Sequence, residues 1–319
     1  MEWRALWLLF LVFQDDGACL VLQFRAFVEL SEPGGIDMTG SGYLVSPTTA
    51  IGSKTTIRRL HTVDEYRQCE ALQERIWGPA DVAGNRIVAM LTAQENGGQV
   101  LGAFTEYGEL VGFVYSFVGL DSRRQLKQCS VMAGVDENFR GRGLGYQLKL
   151  AQRRESLAQG IELVTWTFEP LQRVNAALNI RRLGGTAREY KVNLYGTCDG
   201  LNFGLDTDRL IIEWWLQKRP RPLSPDESSQ AVPVNRVVAD ARTGLPSIAS
   251  IDRDVDSESL FLAIPPNLLE LKRLDLALAQ EWRALTRKLF LAYLGRGYRV
   301  VDFINTGAWP GYVLRRLAC

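Results

Sequence analysis

The sequence predicts an α/β protein of mixed α+β character: a mixed sheet flanked by helices, followed by a smaller carboxy-terminal α/β unit. Three observations carry that expectation. Between Thr55 and Leu216 helical and strand patterns alternate only in part, which implies parallel and antiparallel neighbours in one sheet, with helices on both faces. A glycine-rich turn, "NFRGRGLGYQLKLAQRR" (residues 138–154), follows a strand and runs straight into a helix. The stretch "RPRPLSPDESSQ" (residues 219–230) is rich in proline, serine and charge, and it separates this region from a second group of strands around a long helix. No short-period repeat is visible.

Residues 1–53 read as a poorly specified extension. "ALWLLFLVF" (residues 5–13) has the length of a signal-peptide core and is too short to span a bilayer. Glu2 cancels Arg4 ahead of it, and Asp15 and Asp16 stand where small residues would precede a cleavage site, so secretion is poorly supported. A core domain is expected over residues 54–218, a linker over 219–232 and the smaller unit over 233–319.

Within the core, "TIRRL" reads as a strand. Thr62 with Glu65 three residues on forms a capping box that opens a helix over Val63–Trp77. "PADVAGNRIVAML" is loop and a second helical piece. "GGQVLGAFTEYGELVGFVYSFVGL" is a hairpin turning near Gly108. "LKQCSVMAGV" is a strand leading into the glycine turn and its helix, which Gly160 ends. "IELVTWTF" is a strand, "EPLQRVNAALNIRRLGG" a helix, and "DRLIIEWWL" a strand. Beyond the linker come strands "RVVADA" and "SLFLAIP", one helix over residues 268–294 with Leu271, Leu274 and Leu278 on its buried face, and strands "YRVVDFI" and "GYVLRRL".

The chain has 319 residues, 46% hydrophobic and 23% charged, an ordinary globular composition. A formal net charge of +1 gives no electrostatic case for nucleic acid or an acidic membrane. Its single histidine, His61, precludes a histidine-built metal site, and its five cysteines lack zinc-ligand spacing and suit a reducing, cytoplasmic setting.

Three glycines in five positions need a reason, because glycine loses more backbone freedom on folding than any other residue. A helix amino terminus presents unpaired N–H groups and the positive end of the dipole, so it favours an anion. Glycines let backbone approach closely, and Arg140 and Arg142 add charge. The spacing of Gly141, Gly143 and Gly145 is not the G-x-G-x-x-G of dinucleotide folds, and no Gly-Lys-Ser/Thr of a P-loop is present. The pattern that fits is R-x-x-G-x-G, at Arg140, Gly143 and Gly145, after a strand ending at Val135.

With that motif, the hairpin upstream and the strand and helix downstream, residues 55–216 resemble the GNAT superfamily of acyl-CoA-dependent N-acyltransferases. "LKLAQR", "WTFEPLQRVNAALN" and "TDRLIIEWW" resemble a larger branch with a carboxy-terminal extension. The resemblance implies acetyl-CoA or another acyl-CoA as co-substrate and no metal. It implies that Arg140, Gly141, Arg142, Gly143, Leu144 and Gly145 cradle the pyrophosphate. Met132, Ala133, Gly134 and Val135 would line the pantetheine arm, one of their amides facing the thioester carbonyl, and Asn175 would bond the same arm. The acceptor would be a small-molecule amine, possibly an amino acid, attacking directly in a ternary complex. A homo-oligomer is left open, with neither nucleic acid nor membrane as partner.

The sequence departs from the family where many relatives carry a tyrosine in the last helix: Ile180 occupies that position. The strand before the motif offers only Ser130 in place of an acidic or histidine base. Tyr195 is the first candidate for the missing phenol, with Gly196 allowing close approach. Tyr190, after Arg188 and Glu189, is the reserve and is expected to face solvent. Arg209 and Asp208 are candidates for the acceptor pocket, Arg209 suiting a carboxylate. The missing phenol and base also motivate an alternative, a coenzyme A-binding module without turnover.

Overall fold

The computed structural model describes residues 3–13, 19–29, 55–78, 86–196, 204–218, 221–240, 243–305, 307 and 309–316. The chain forms two compact units, residues 1–44 and 45–319. In the first, β1 (Trp3–Phe13) and β2 (Cys19–Glu29) pair antiparallel along their whole length, so the stretch read as a poorly specified extension contains a hairpin.

The second unit opens with β3 (Thr55–Arg59), α1 (Val63–Trp77), α2 (Arg86–Glu95), β4 (Gln99–Thr105), β5 (Leu110–Leu120) and β6 (Leu126–Val135). There follow α3 (Leu144–Ala158), β7 (Leu163–Phe168), α4 (Arg173–Ala176) prolonged by a π-helical turn (Ala177–Arg182), β8 (Thr186–Lys191) and β9 (Arg209–Trp215). Next come α5 (Pro225–Ser229), β10 (Val232–Pro233), β11 (Asn235–Ala239), β12 (Pro246–Ile251) and β13 (Ser259–Ala263). The chain then runs through α6 (Leu268–Leu274), α7 (Leu276–Gly295), β14 (Tyr298–Ile304) and β15 (Gly311–Arg316). Eleven strands form one mixed sheet in the order β10-β13-β15-β14-β8-β9-β7-β6-β5-β4-β3, while β11 and β12 pair separately. The mixed sheet flanked by helices is therefore present as the sequence predicts.

Local chemistry explains the element ends. Thr62 accepts from the Glu65 amide while Glu65 accepts from the Thr62 amide, the capping box expected for α1, and the His61 amide also donates to Glu65. Tyr66, Cys69 and Leu72 of α1 and Met90 of α2 bury one face of the sheet against Val100, Phe104 and Phe113. Leu144, Leu148 and Ala151 of α3 bury the other face against Leu101, Val111 and Val114. No helix among the described residues is long and apolar enough to cross a membrane.

Three features differ from the sequence reading. β8, "TAREYK", is a strand that its adjacent charged residues Arg188 and Glu189 concealed by breaking the alternation; it bridges β9 and β14. The linker region contains α5, started by a second capping box at Ser224 and Glu227 with Pro225 in the first turn. The helix expected over 268–294 is two helices: Asp275, in extended conformation, ends α6 and caps the Leu278 amide to begin α7. That break rephases the helix, so Leu274 lies exposed while Trp282, Leu289, Phe290 and Tyr293 are fully buried.

The carboxy-terminal strands repeat the strands they extend. β6 and β7 are parallel, and β7–β9 and β9–β8 are antiparallel. β10 and β13 are likewise parallel, and β13–β15 and β15–β14 antiparallel. The two sets meet at an antiparallel bridge between Ala187 of β8 and Val300 of β14. Each of those residues is followed by a one-residue bulge, at Arg188 and at Val301. A positive-φ glycine stands three residues before each, Gly184 at 75° and Gly297 at 85°. The eight strands thus form two halves about a local pseudo-twofold axis. Val164, Phe168, Leu210, Ile212, Trp282, Phe290, Tyr312 and Leu314 pack into one core spanning both.

Candidate functional site

The site lies where β6 and β7 part. These parallel strands pair only at Gln128 with Val164 and Cys129 with Thr165. Beyond that, β6 follows β5, with Ala133, Gly134 and Val135 opposite Val114, Phe113 and Gly112, while β7 follows β9. The facing edges of residues 130–135 and 166–168 are left without strand partners across an opening cleft. A bulge at Val131, between the pairs Ser116–Ser130 and Tyr115–Met132, re-aims β6 at its start.

The head of this cleft is the glycine turn. Asp136 caps a single 3₁₀ turn (Glu137–Phe139), after which Gly141 and Gly143 take φ of 75° and 78°, a region costly for residues with a Cβ. Gly143 is the N-cap of α3 and offers no side-chain acceptor to the first amides of that helix. A Cβ at Gly141 or Gly143 would meet nothing within 4 Å, so the space above the turn is open. Arg140 Nε donates to the Val135 carbonyl (3.0 Å), and the Arg142 guanidinium lies 5.6 Å from the Phe139 ring centre. Arg182, at the end of the π-helical turn, lies 4.5 Å over the Tyr146 ring and brings a third cation to this end of the cleft; only the structure reveals it. The residues expected for the pyrophosphate and the pantetheine arm are thus contiguous around one opening, and Asn175 lies exposed on α4.

Tyr195 is 57% exposed on the β8–β9 loop, its hydroxyl 2.8 Å from Thr167 Oγ1 near the end of β7. Alternation along the strand puts Thr167 on the face opposite Trp166. The described ends of this loop are held by hydrogen bonds. Asp208, fully buried, accepts from the Tyr190 hydroxyl (2.7 Å), the Asn193 amide (2.9 Å) and Arg287 Nε (2.7 Å). The Tyr195 amide donates to Thr207 Oγ1 (2.9 Å), which itself donates to the Gly196 carbonyl (3.0 Å).

Tyr190, expected to face solvent, is buried and stacked on Phe290 of α7 (5.2 Å), and burial pushes its phenol well above the usual value. Arg209, also buried, donates to the Asp208 carbonyl (2.8 Å), lies 3.5 Å from Glu169 and sits 5.3 Å from the Tyr195 ring centre. Glu169 accepts from the Leu171 amide and pairs with Arg283 of α7.

Beneath α3 runs a polar seam. Lys149, Gln152 and Ser156 share one buried stripe of the helix, facing Gln99, Ser116 and Ser130 of β4, β5 and β6, all buried. Burial lowers the Lys149 ammonium to about 7, with no charged neighbour contributing. A lysine midway along an amphipathic helix reads as a surface residue, so sequence reasoning missed it.

No family model matches this chain, and no curated protein matches it in sequence. Solved acetyltransferase structures are similar over about half of it. A GNAT-family acetyltransferase from Streptococcus pneumoniae is 13% identical, covering 50% of this chain and 97% of its own, with TM-score 0.42. The ribosomal-protein-S18-alanine N-acetyltransferase from Escherichia coli is 20% identical, covering 53% and 99%, with TM-score 0.41. A putative acetyltransferase from Salmonella typhimurium, solved with its cofactor acetyl-CoA, is 19% identical, covering 53% and 98%, with TM-score 0.42.

Proposed function

We propose that the chain is an acyl-CoA-dependent N-acyltransferase of GNAT type, moving an acetyl or related acyl group to the amine of a small molecule, possibly an amino acid. One observation carries this reading. An uncapped helix amino terminus, flanked by arginines and open above its glycines, stands at the head of a cleft between two parallel strands with unpaired edges. An anionic head and an extended amide-bearing tail, the two parts of coenzyme A, fit that pairing of features.

In this reading residues 140–145 hold the pyrophosphate with help from Arg182, and Met132–Val135 pair with the pantetheine amides. An amide of this strand faces the thioester oxygen as it becomes anionic. Tyr195 is the proposed catalytic phenol at the cleft mouth, with Tyr190 and Asp208 fixing the loop that presents it. Arg209 beneath it supplies positive charge for an acceptor carboxylate. The described thiols Cys69 and Cys129 are unpaired, which suits the reducing cytoplasm we propose as its setting.

The test is thiol release from acetyl-CoA with a panel of amines and amino acids, beside the melting temperature with and without coenzyme A. Thiol release with at least one amine is expected. A raised melting temperature without release for any amine would instead favour the binding module, a reading motivated by buried Ile180, where many members of the family the sequence resembles carry a phenol.

A further inference from the structure

We propose that Ser130 and Lys149 form the pair that protonates the departing thiolate of coenzyme A. This rests on the acyl-CoA reading of the cleft and moves the acid that Ile180 leaves missing to the vertex, leaving the exposed Tyr195, on the other face of β7, to contact the acceptor.

The geometry carries the assignment. Ser130 is the first residue of β6 beyond its last pairing with β7, so it stands at the vertex of the cleft. Its Oγ accepts from Lys149 Nζ (3.0 Å) and from Gln152 Nε2 (3.3 Å). A hydroxyl has two lone pairs and one proton. With both lone pairs engaged from below, the role left to Ser130 is that of donor.

Lys149 Nζ also donates to Gln152 Oε1 (2.8 Å) and lies 3.9 Å over the Trp166 ring of β7, which Trp214 of β9 backs edge-on. The residue is 4% exposed and makes no ion pair among the described residues. Of the charged residues on the same elements, Arg153 bonds the Leu216 carbonyl, Glu155 pairs with Arg59 and Glu213 with Arg188, while Arg154 is exposed and Lys127 alternates to the other face of β6. A buried lysine without a counter-ion is costly to keep, and this one points at the vertex of the cleft.

The step balances. As the tetrahedral adduct collapses, the carbon–sulfur bond breaks and its electron pair stays on sulfur. The Ser130 hydroxyl proton moves to that sulfur, and a Lys149 ammonium proton moves to the Ser130 oxygen, leaving a neutral amine. The proton released by the attacking amine passes to water, and water returns Lys149 to its charged form between turnovers. Burial sets Lys149 near 7, below the roughly 8.5 of an ordinary thiol, so the overall transfer runs downhill. The donor must be charged, so turnover should fall as pH rises through that value.

Two measurements on the full chain test the pair. In steady-state kinetics with acetyl-CoA and the best amine of the panel, Lys149→Met and Ser130→Ala should each lower kcat by about 10²-fold or more, with KM for acetyl-CoA within a few-fold. Wild type should show the falling alkaline limb, and Lys149→Met should lose it. In NMR of protein labelled with [ε-¹³C]lysine, one resonance absent from Lys149→Met should titrate near neutrality. It should move on addition of coenzyme A and move less with desulfo-coenzyme A.

A Lys149→Met enzyme with wild-type kcat or an unchanged limb would overturn the pair, as would a Lys149 resonance indifferent to the sulfur. A wild-type protein whose melting temperature ignores coenzyme A would instead overturn the acyl-CoA reading itself.

Discussion

The halves β6-β7-β9-β8 and β10-β13-β15-β14 share strand order and direction, yet only one has the makings of a site. The difference lies in what joins the parallel pair. Between β6 and β7 the connection is the glycine turn and α3, which leaves open amides at the head of a cleft. Between β10 and β13 it is the β11–β12 hairpin, and β10 is only two residues long. Strand topology therefore supplies the frame in both halves, while the connection decides which half carries an uncapped helix start with open space above its glycines. The second half packs against the first: β14 covers the edge of β8, and α7 buries Trp282, Phe290 and Tyr293 against the shared core.

The largest effect should come from removing that second half. Deleting residues 260–319 takes away β14, β15, α6, α7 and most of β13. It uncovers the edge of β8 and leaves Tyr190 without Phe290 and Asp208 without Arg287. The remainder is expected to be insoluble or to lose cooperative unfolding by circular dichroism. A soluble truncation that melts cooperatively would show the first half to be self-sufficient, and the shared core incidental.

The next test compares two glycines of like backbone, Gly143 in the β6–β7 connection and Gly297 in the turn between α7 and β14. Gly143 and Gly297 both hold positive φ, 78° and 85°, and a Cβ at either meets nothing within 4 Å. Valine at each should bring similar backbone strain, of order 1–3 kcal/mol. Only Gly143→Val should also abolish the stabilisation by coenzyme A, which at about 1,000 times Kd amounts to about 4 kcal/mol. Equal ligand responses from the two folded variants would remove the phosphate assignment from the turn.

Much of the first half was legible because its signals are local. A capping box, a hairpin turn and a glycine turn between strand and helix each declare themselves within a few residues. The strands of the second half were legible too, in "SLFLAIP", "YRVVDFI" and "GYVLRRL", but their union with the first half and the polar seam were not, because those signals lie in distant partners. Tyr190 follows two charged residues and reads as exposed; Phe290, a hundred positions on, buries it. Asp275 breaks a helix without proline or glycine, by capping the next one, and nothing in "RLDLALAQ" declares that. β8 alternates charged and apolar residues too weakly to announce a strand that two others pair with. Arg182 and Lys149 look like solvated helix residues until Tyr146, Ser130 and Trp166 are placed around them.

The smallest effect is the most discriminating about the seam, since it asks whether the site carries a stability cost that an inert half would not. Lys149 has a folded value near 7 against an ordinary 10.5, lowered by burial. Below pH 7 both folded and unfolded chains hold the proton, and the folded state bears the full penalty of a buried charge. Between about 7 and 10.5 the unfolded chain holds the proton and the folded chain does not, so stability rises with pH. Above that window both are neutral and the penalty is gone. Lys149→Met, of similar shape and without charge, should therefore stabilise the protein most below pH 7, by an amount of the order of a few kcal/mol. The gain should shrink through the window. At its upper end the variant should become slightly less stable than wild type, because Ser130 and Gln152 have lost a partner worth about 1 kcal/mol. Urea unfolding at several pH values reads this directly. A Lys149→Met protein less stable than wild type at pH 6 would mean that the ammonium is well solvated or paired, and would remove the physical basis for its low value.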